Sequence, residues 1–141
     1  MQTGDRIAIM MPNQLQYIIA YYGSLKAGMI VVNTNPLYTP REMLHQFNDS
    51  GATAILILEN YAKNLQEILP KTQIKHVMIT TIGECMGWLK GSIVNFVVRK
   101  IRKMVPAYDL PTAIPYAKVM KEGKKFKLKL HKGKMDDTIV I

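Results

Sequence analysis

Short apolar runs alternate with amphipathic stretches along residues 1–84 at a nearly constant interval. The apolar runs begin near residues 7, 29, 54 and 76. An interval of about 22 to 25 residues is the length of one strand with its crossover helix. The runs are apolar throughout, as in parallel strands that helices cover on both faces. The pattern therefore predicts an α/β fold built on an open parallel sheet of βα units.

Two of the predicted helices carry clear boundary signals. The first ends before Gly28 and has five apolar residues at helical spacing: Leu15, Ile18, Ile19, Tyr22 and Leu25. The second begins with Thr39, Pro40 and Glu42, which supply a capping hydroxyl, a proline at the first helical position and an acid three residues after the cap. It is predicted to end at Gly51. Capping alone explains this motif, so we prefer it to the alternative of a loop beside a substrate or a domain interface.

The excess positive charge is confined to the second part of the chain. Residues 1–84 carry six Lys/Arg and six Asp/Glu, whereas residues 85–141 carry thirteen and four and account for the whole net charge of +9. This asymmetry indicates an anionic surface near the second segment. We interpret residues 1–84 as a parallel α/β lobe, and residues 85–141 as a basic segment of the same incomplete domain.

An amphipathic helix is predicted over about residues 88–105, ending before Pro106. Its apolar face comprises Leu89, Ile93, Phe96, Val97, Ile101 and Met104, and its polar face comprises Ser92, Asn95, Arg99, Arg102 and Lys103. One interpretation is peripheral attachment to an anionic membrane through Trp88, Arg99, Lys100, Arg102 and Lys103. The other is a packed surface helix whose polar face is solvated, and the position of Lys90 and Lys100 beside the apolar stripe favours it slightly.

The remaining residues of the basic segment predict two strands. Residues 118–130 are lysine-rich and alternate at Phe126, Leu128 and Leu130, which is typical of an exposed, charged edge strand. Residues 136–141 end in apolar, mostly β-branched side chains, which predicts a buried strand whose continuation is missing. An unpaired sheet edge there would favour self-association. Because only Phe126 could stack on bases, we expect no nucleic-acid partner.

The sequence lacks the motifs of nucleotide, metal and nucleophilic sites. It has no Walker A loop and no G-x-G-x-x-G, and its three histidines are not spaced as metal ligands. Cys85, the single cysteine, has no nearby cationic run to lower its pKa. We therefore assign no catalytic, cofactor-binding or metal-ligating residue. No apolar run reaches the length of about 18 residues that a membrane span needs, and the start predicts no signal peptide, so a cytoplasmic location is expected.

Three stretches resemble a known family. VNTNPLYTPRE (residues 32–42) and HQFNDSGA (residues 45–52) are similar to the N-terminal subdomain of the AMP-forming acyl-CoA synthetases, and VNFVVRKIRKMVPAYDLPTAI (residues 94–114) to the long-chain enzymes among them. Within that superfamily, the chain most resembles the bacterial long-chain fatty acid CoA ligases. The resemblance covers nearly the whole chain.

The resemblance implies a two-step ligation. ATP adenylates a fatty acid carboxylate and releases pyrophosphate, and the thiol of coenzyme A then displaces AMP, while magnesium neutralises the phosphates. In the family, the phosphate loop follows the strand that residues 136–141 resemble, and the adenine and acyl-pocket motifs lie further on. We expect this chain to bind no cofactor and to be inactive alone. The complete enzyme is expected to use ATP, magnesium, coenzyme A and a long-chain fatty acid. Besides a purely cytoplasmic location, we consider a peripheral location on the inner membrane face.

Overall fold

The computed structural model describes residues 1–127, 131, 133 and 137–141, and these residues form a parallel sheet with helices on both faces. The strands are β1 (Arg6–Met10), β2 (Ile30–Asn33), β3 (Ala54–Leu58), β4 (His76–Thr80) and β5 (Ile114–Pro115). The α-helices are α1 (Leu15–Lys26), α2 (Pro40–Ser50), α3 (Ala62–Ile68), α4 (Trp88–Phe96) and α5 (Tyr116–Gly123). Short 3-10 turns at Glu59–Tyr61 and Leu69–Lys71 flank α3, and a π-helical turn, Val97–Ile101, continues α4.

All neighbouring strands run parallel, in the order β2-β1-β3-β4-β5. The register places Ala8 opposite Val32 on one side and Ile55 on the other, and places Ile55 opposite Val77. The predicted α/β fold with an open parallel sheet is therefore confirmed. The crossover from β2 to β3 passes over β1, so the carboxyl ends of β1 and β3 flank the point where the strand order reverses.

The core lies on both faces of this sheet because successive strand residues point to opposite sides. On one face, Ala8 and Met10 of β1 pack with Met43 and Phe47 of α2. On the other face, Ile7 and Ile9 are covered by α1 and by Tyr116. Every residue of β3 is buried, so this strand is the centre of both layers.

Helix α1 forms where its apolar spacing predicts, but the predicted stripe faces solvent. The side chains of Leu15, Ile18, Ile19 and Tyr22 are all exposed, whereas Leu25 packs on the core. The sheet-facing side carries the polar residues Gln16 and Ser24 together with partly buried tyrosines and Ala20. Gln16 donates a hydrogen bond of 2.8 Å from Nε2 to the backbone oxygen of Thr81. The apolar outer face of α1 is therefore uncovered in this chain.

The capping motif of α2 adopts the predicted structure. The backbone N–H of Glu42 donates to Thr39 Oγ1 at 3.4 Å, and the Glu42 carboxylate accepts from the Thr39 backbone N–H at 2.8 Å. The backbone N–H and the hydroxyl of Thr39 both donate to the Glu42 carboxylate, and these hydrogen bonds lower its pKa. Gly51 ends the helix in the left-handed region at φ 63°, where a Cβ would be strained. Residues 39–51 therefore serve as a well-bounded helix beneath the sheet.

The basic segment differs from its sequence-based prediction at the start of the predicted edge strand. Lys118, predicted in an edge strand, lies in α5, because residues 116–123 are mostly helix formers and Tyr116 packs into the core. Leu128 and Leu130 of the predicted alternation lie outside the described residues.

The predicted terminal strand does pair with the sheet, although its side chains stay half exposed. Val140 forms a parallel bridge with Val31 at the outer edge of β2. The Val31 N–H donates to the Ile139 oxygen and the Ile141 N–H donates to the Val31 oxygen, both at 2.9 Å. The strand is exposed because no further layer covers residues 139–141 in the part of the chain that the structure describes.

Burial predicts very different costs for two phenylalanine truncations. Phe47 is fully buried and Phe96 is 60% exposed. We expect Phe47→Ala to lower the free energy of unfolding by about 3 to 5 kcal/mol, since it removes core contacts and leaves a cavity. The matched control Phe96→Ala should change it by less than about 0.5 kcal/mol. Urea denaturation monitored by circular dichroism gives both values, and equal effects would contradict this core assignment.

Candidate functional site

Helix α4 and its π turn lie across the loops that follow β3 and β4. These loops leave the carboxyl edge of the sheet, where open α/β proteins bind their ligands. Residues 59–60 come directly after β3 and residues 81–84 directly after β4, and both groups contact the helix. The site is therefore a helix fixed on the edge where chemistry is expected in this fold.

An ion pair joins the π turn to the end of β3. The Glu59 carboxylate is 1% exposed and accepts hydrogen bonds from Arg99 Nε at 3.0 Å and from Arg99 Nη2 at 2.6 Å. This two-point geometry is the strong form of a carboxylate–guanidinium contact. The hydrogen bonds to Glu59 raise the pKa of Arg99. Arg99, predicted as a membrane contact, is therefore paired with Glu59, while 47% of its side chain stays exposed.

A second set of hydrogen bonds fixes the middle of α4. Asn95 Oδ1 accepts from the Gly83 N–H at 2.9 Å, and Asn95 Nδ2 donates to Thr81 Oγ1 at 3.0 Å. Gly83 and Gly91 touch so closely that a Cβ on Gly83 would lie 2.3 Å from the Gly91 oxygen. Two glycines are required here because only bare backbone allows this approach. The loop after β4 therefore fixes both the position and the rotation of the helix.

The other face of the helix is apolar and exposed. Its large side chains are more than half exposed: Trp88, Leu89, Ile93, Phe96, Ile101 and Met104. Trp88 is 84% exposed, and in this segment Val98 is the apolar side chain that is buried. The apolar residues of the helix are thus exposed, but so are four of the five residues of its polar face: Ser92, Arg99, Arg102 and Lys103. Solvation of the polar face agrees with the surface-helix interpretation, whereas the exposed apolar face does not.

Exposed cations surround the apolar face. Lys90, Lys100, Arg102 and Lys103 are all exposed, and no ion pair within the described ranges involves them. Trp88, Arg99, Lys100, Arg102 and Lys103 are all exposed, and Arg99 differs from the other cations in its ion pair with Glu59. Whether these residues contact a membrane stays a prediction.

The helical segment ends earlier than predicted. The π turn closes with the Arg102 N–H donating to the Val97 oxygen at 2.8 Å, and Lys103 then adopts φ 49°, which stops the helix before residue 105. Asn60 Nδ2 donates to the Met104 oxygen at 3.1 Å and holds this end against the loop after β3. A π turn contains one residue more than an α-helical turn. In this chain the π turn includes Arg99, so it lies at the contact with Glu59.

Sequence reasoning did not identify Glu59 and Asn95 as site residues. Glu59 could have been noticed as a carboxylate that directly follows a fully apolar strand, since such a buried acid needs a partner. Asn95 carries no comparable signal, because it is one polar residue on a predicted polar face. Their partners are distant in sequence, so only the folded chain brings them together.

Two of the clefts at the carboxyl edge lie where a phosphate-bearing ligand would be expected in an open α/β sheet. One, of about 220 Å³, is lined by residues that include Glu59, Thr81, Glu84, Arg99 and Tyr108. Burial, and then the nearby Glu59 charge, raise the pKa of Tyr108. The other, of about 480 Å³, lies beyond β1 and β2 and is lined by neutral residues, chiefly asparagines and tyrosines with prolines.

These clefts do not fit a nucleoside triphosphate. Among the described lining residues, the guanidinium in the smaller cleft is paired with Glu59, and the larger cleft has no cation to neutralise phosphate charge. Residues 1–127, 131, 133 and 137–141 contain no cluster of three metal-ligating side chains. Burial, followed by the Glu84 charge, raises the pKa of the Cys85 thiol, which disfavours the reactive thiolate.

Tyr116 is the most perturbed tyrosine beside this edge. Burial, with smaller effects of Cys85 and Glu84, raises its pKa to about 12. It therefore remains a neutral core residue at physiological pH.

Among the described residues, no helix has the length and apolar character to cross a membrane.

Many open α/β proteins share this sheet order, so sequence similarity is what shows the family. The chain belongs to the family of AMP-binding enzymes, because the sequence model of that family matches residues 1–139. Its relatives include a long-chain-fatty-acid–CoA ligase of Yersinia pestis, 54% identical over 125 residues, covering 89% of this chain and 22% of that protein. A ligase of the same description from Salmonella typhimurium is 52% identical over 123 residues, covering 87% and 22%.

The fold comparison agrees with the family. Acetoacetyl-CoA synthetase from Streptomyces lividans superposes with a TM-score of 0.60 over 83% of this chain and 16% of that one. The sequence identity is 12%, so this likeness concerns the fold alone. The chain spans about a fifth of the length of the curated relatives it matches, 22% in the case of the Yersinia pestis ligase.

The Gly83–Gly91 contact predicts how α4 can be loosened. Gly83→Ala places a Cβ against the Gly91 backbone oxygen, which only movement of the helix relieves. We expect amide hydrogen exchange in residues 88–101 to accelerate at least tenfold, equivalent to about 1.4 kcal/mol of lost protection, while β3 stays protected. The control Gly123→Ala meets nothing within 4 Å and should leave exchange in α4 unchanged. Unchanged exchange in Gly83→Ala would show that this contact does not fix the helix.

Proposed function

We propose that this chain is part of a long-chain fatty acid CoA ligase, to which it contributes the first parallel lobe. The observation that carries this proposal is the match of most of the chain, at about half identity, to the N-terminal region of ligases of that description. The complete enzyme would convert a long-chain fatty acid, ATP and coenzyme A into acyl-CoA, AMP and pyrophosphate, with magnesium bound to the phosphates.

Within that reaction, the residues of this chain act as a scaffold. The buried strand β3 and the capped helix α2 support the carboxyl edge, and the loops after β3 and β4 hold α4 above it. We treat residues 85–141 as part of the same incomplete domain as residues 1–84, since β5 and residues 139–141 pair with strands of the first segment. Within the described residues, no three metal-ligating side chains form a cluster.

The chain alone is expected to lack adenylation activity. Without a phosphate loop, it has no preorganised donors for the charge that develops on the phosphates. Incubation of the purified chain with ATP, magnesium and radiolabelled palmitate should give no acyl-AMP above a protein-free control. A parallel reaction contains the chain mixed with the matching C-terminal part of a related ligase. Acyl-AMP formation by the chain alone would refute this prediction.

Peripheral attachment to an anionic membrane is the second function we propose, with a cytoplasmic location at the inner membrane face. The observation that favours it is the outward apolar face of α4 within a rim of exposed cations. An interfacial helix needs an apolar face that enters the headgroup region and cations that meet lipid phosphates. Lys90, Lys100, Arg102 and Lys103 would together contribute at most ~4 kcal/mol at ~1 kcal/mol each, which gives reversible binding.

Self-association through the sheet edge is a further proposal from the same exposed surfaces. Residues 139–141 occupy the outer side of β2, so on this side of the sheet the exposed edge is that of the terminal strand. A half-exposed strand with unpaired backbone groups can pair with a second copy. Analytical ultracentrifugation without lipid measures this directly and separates it from membrane binding.

Trp88 makes membrane binding measurable without a label, because it is the only tryptophan and is 84% exposed. We expect its emission to shift to the blue when vesicles containing one-third phosphatidylglycerol are added. Replacing Lys100, Arg102 and Lys103 together by alanine should weaken binding by at least tenfold. The control replaces three exposed cations in and directly after α5, Lys118, Lys121 and Lys124, by alanine and should weaken binding much less. Absence of a shift in the native chain, or equal losses in both variants, would count against attachment through α4.

A further inference from the structure

The orientation of α4 is opposite to the one that the hydrophobic effect favours. Gly91, Asn95 and Arg99 lie four residues apart and form one stripe that faces the loops after β3 and β4. The apolar residues Leu89 and Ile93 lie on the opposite side and are exposed. A helix that could rotate freely would turn its apolar stripe toward the protein. Specific polar contacts must therefore hold it in this orientation.

The Glu59–Arg99 ion pair is the strongest of these contacts. Glu59 sits at the end of the central strand and is 1% exposed, so its carboxylate requires a partner. Arg99 supplies two donors, Nε and Nη2, whose spacing fixes the direction of the guanidinium plane. With Arg99 held by Glu59, the helical repeat carries the next residue, Lys100, outward, and Phe96, one turn before Arg99, is also exposed.

We propose that this ion pair sets the rotation of α4 and thereby defines the membrane-binding surface. The inference rests on the proposed membrane attachment. It makes Arg99 a positioning residue that does not touch lipid, and it leaves the lipid phosphates to Lys90, Lys100, Arg102 and Lys103. The partner is an anionic bilayer, because an apolar stripe bordered by cations matches its acyl interior and its charged headgroups.

Two substitutions separate positioning from simple attraction between charges. E59Q removes an anion and R99K keeps the charge, so attraction alone predicts up to about fivefold tighter vesicle binding for the first and no change for the second. If the ion pair positions the helix, both E59Q and R99K should bind vesicles more weakly than the native chain. If the outward orientation falls to about a tenth of the population, the apparent affinity falls about tenfold.

Matched controls carry the same chemical changes elsewhere. E67Q removes an exposed carboxylate from α3, and R41K exchanges an exposed arginine for lysine on α2. Neither control should weaken binding to vesicles of phosphatidylcholine with one-third phosphatidylglycerol. Amide exchange in β3 shows that each variant keeps the fold, and R99K decides the outcome if E59Q does not fold.

Hydrogen exchange without vesicles tests the ion pair independently of membrane binding. Amides of residues 95–104 should exchange about tenfold faster in E59Q and R99K than in the native chain, E67Q or R41K. If the native chain binds no vesicles but these amides respond, the ion pair orients the helix and the proposed membrane function fails. If the native chain binds and neither E59Q nor R99K weakens binding or speeds exchange, the inference about the ion pair is overturned.

Discussion

The burial of β3 on both faces is the constraint on which the rest of the structure depends. Its five residues are all buried, and it pairs with β1 on one side and β4 on the other. A strand so enclosed accepts only apolar side chains, and the first polar residue after it, Glu59, still lies at 1% exposure. That buried carboxylate needs a partner, and its ion pair with Arg99 fixes the position of helix α4. The position of a surface helix therefore depends on the core strand β3.

The elements that could be predicted from the sequence are those with local causes. The sheet followed from apolar runs at regular intervals, and α2 followed from the reciprocal contacts of Thr39 and Glu42, which lie three residues apart. The prediction of an edge strand over residues 118–130 was wrong for residues 118–123, which belong to helix α5. The alternation lies at the end of that stretch, whereas the residues at its start have a helical preference. Local sequence patterns therefore predicted secondary structure correctly where only one structural preference was present. They failed where strand-like alternation and helix propensity occurred in the same stretch.

The candidate site could be predicted only in part. Amphipathicity identified α4 and its cations, but it gave no information on which face is inward. That choice depends on Glu59 and Arg99, 40 residues apart, and on the close approach of Gly83 to Gly91. The same limit applies to α1, where Gln16 bonds inward to the loop after β4 while Leu15 and Ile18 face solvent. Long-range polar contacts overrode the pattern in both helices.

The bridge between Val31 and Val140 bears on the order in which the chain folds. The pairings of β1 with its neighbours join residues within about fifty positions of one another, whereas this bridge spans about a hundred. During synthesis, the outer side of β2 must wait for residues 139–141 to leave the ribosome, while the inner strands can already be paired. The nascent lobe therefore carries an open β2 edge for most of its translation, when chaperones and neighbouring chains can reach it.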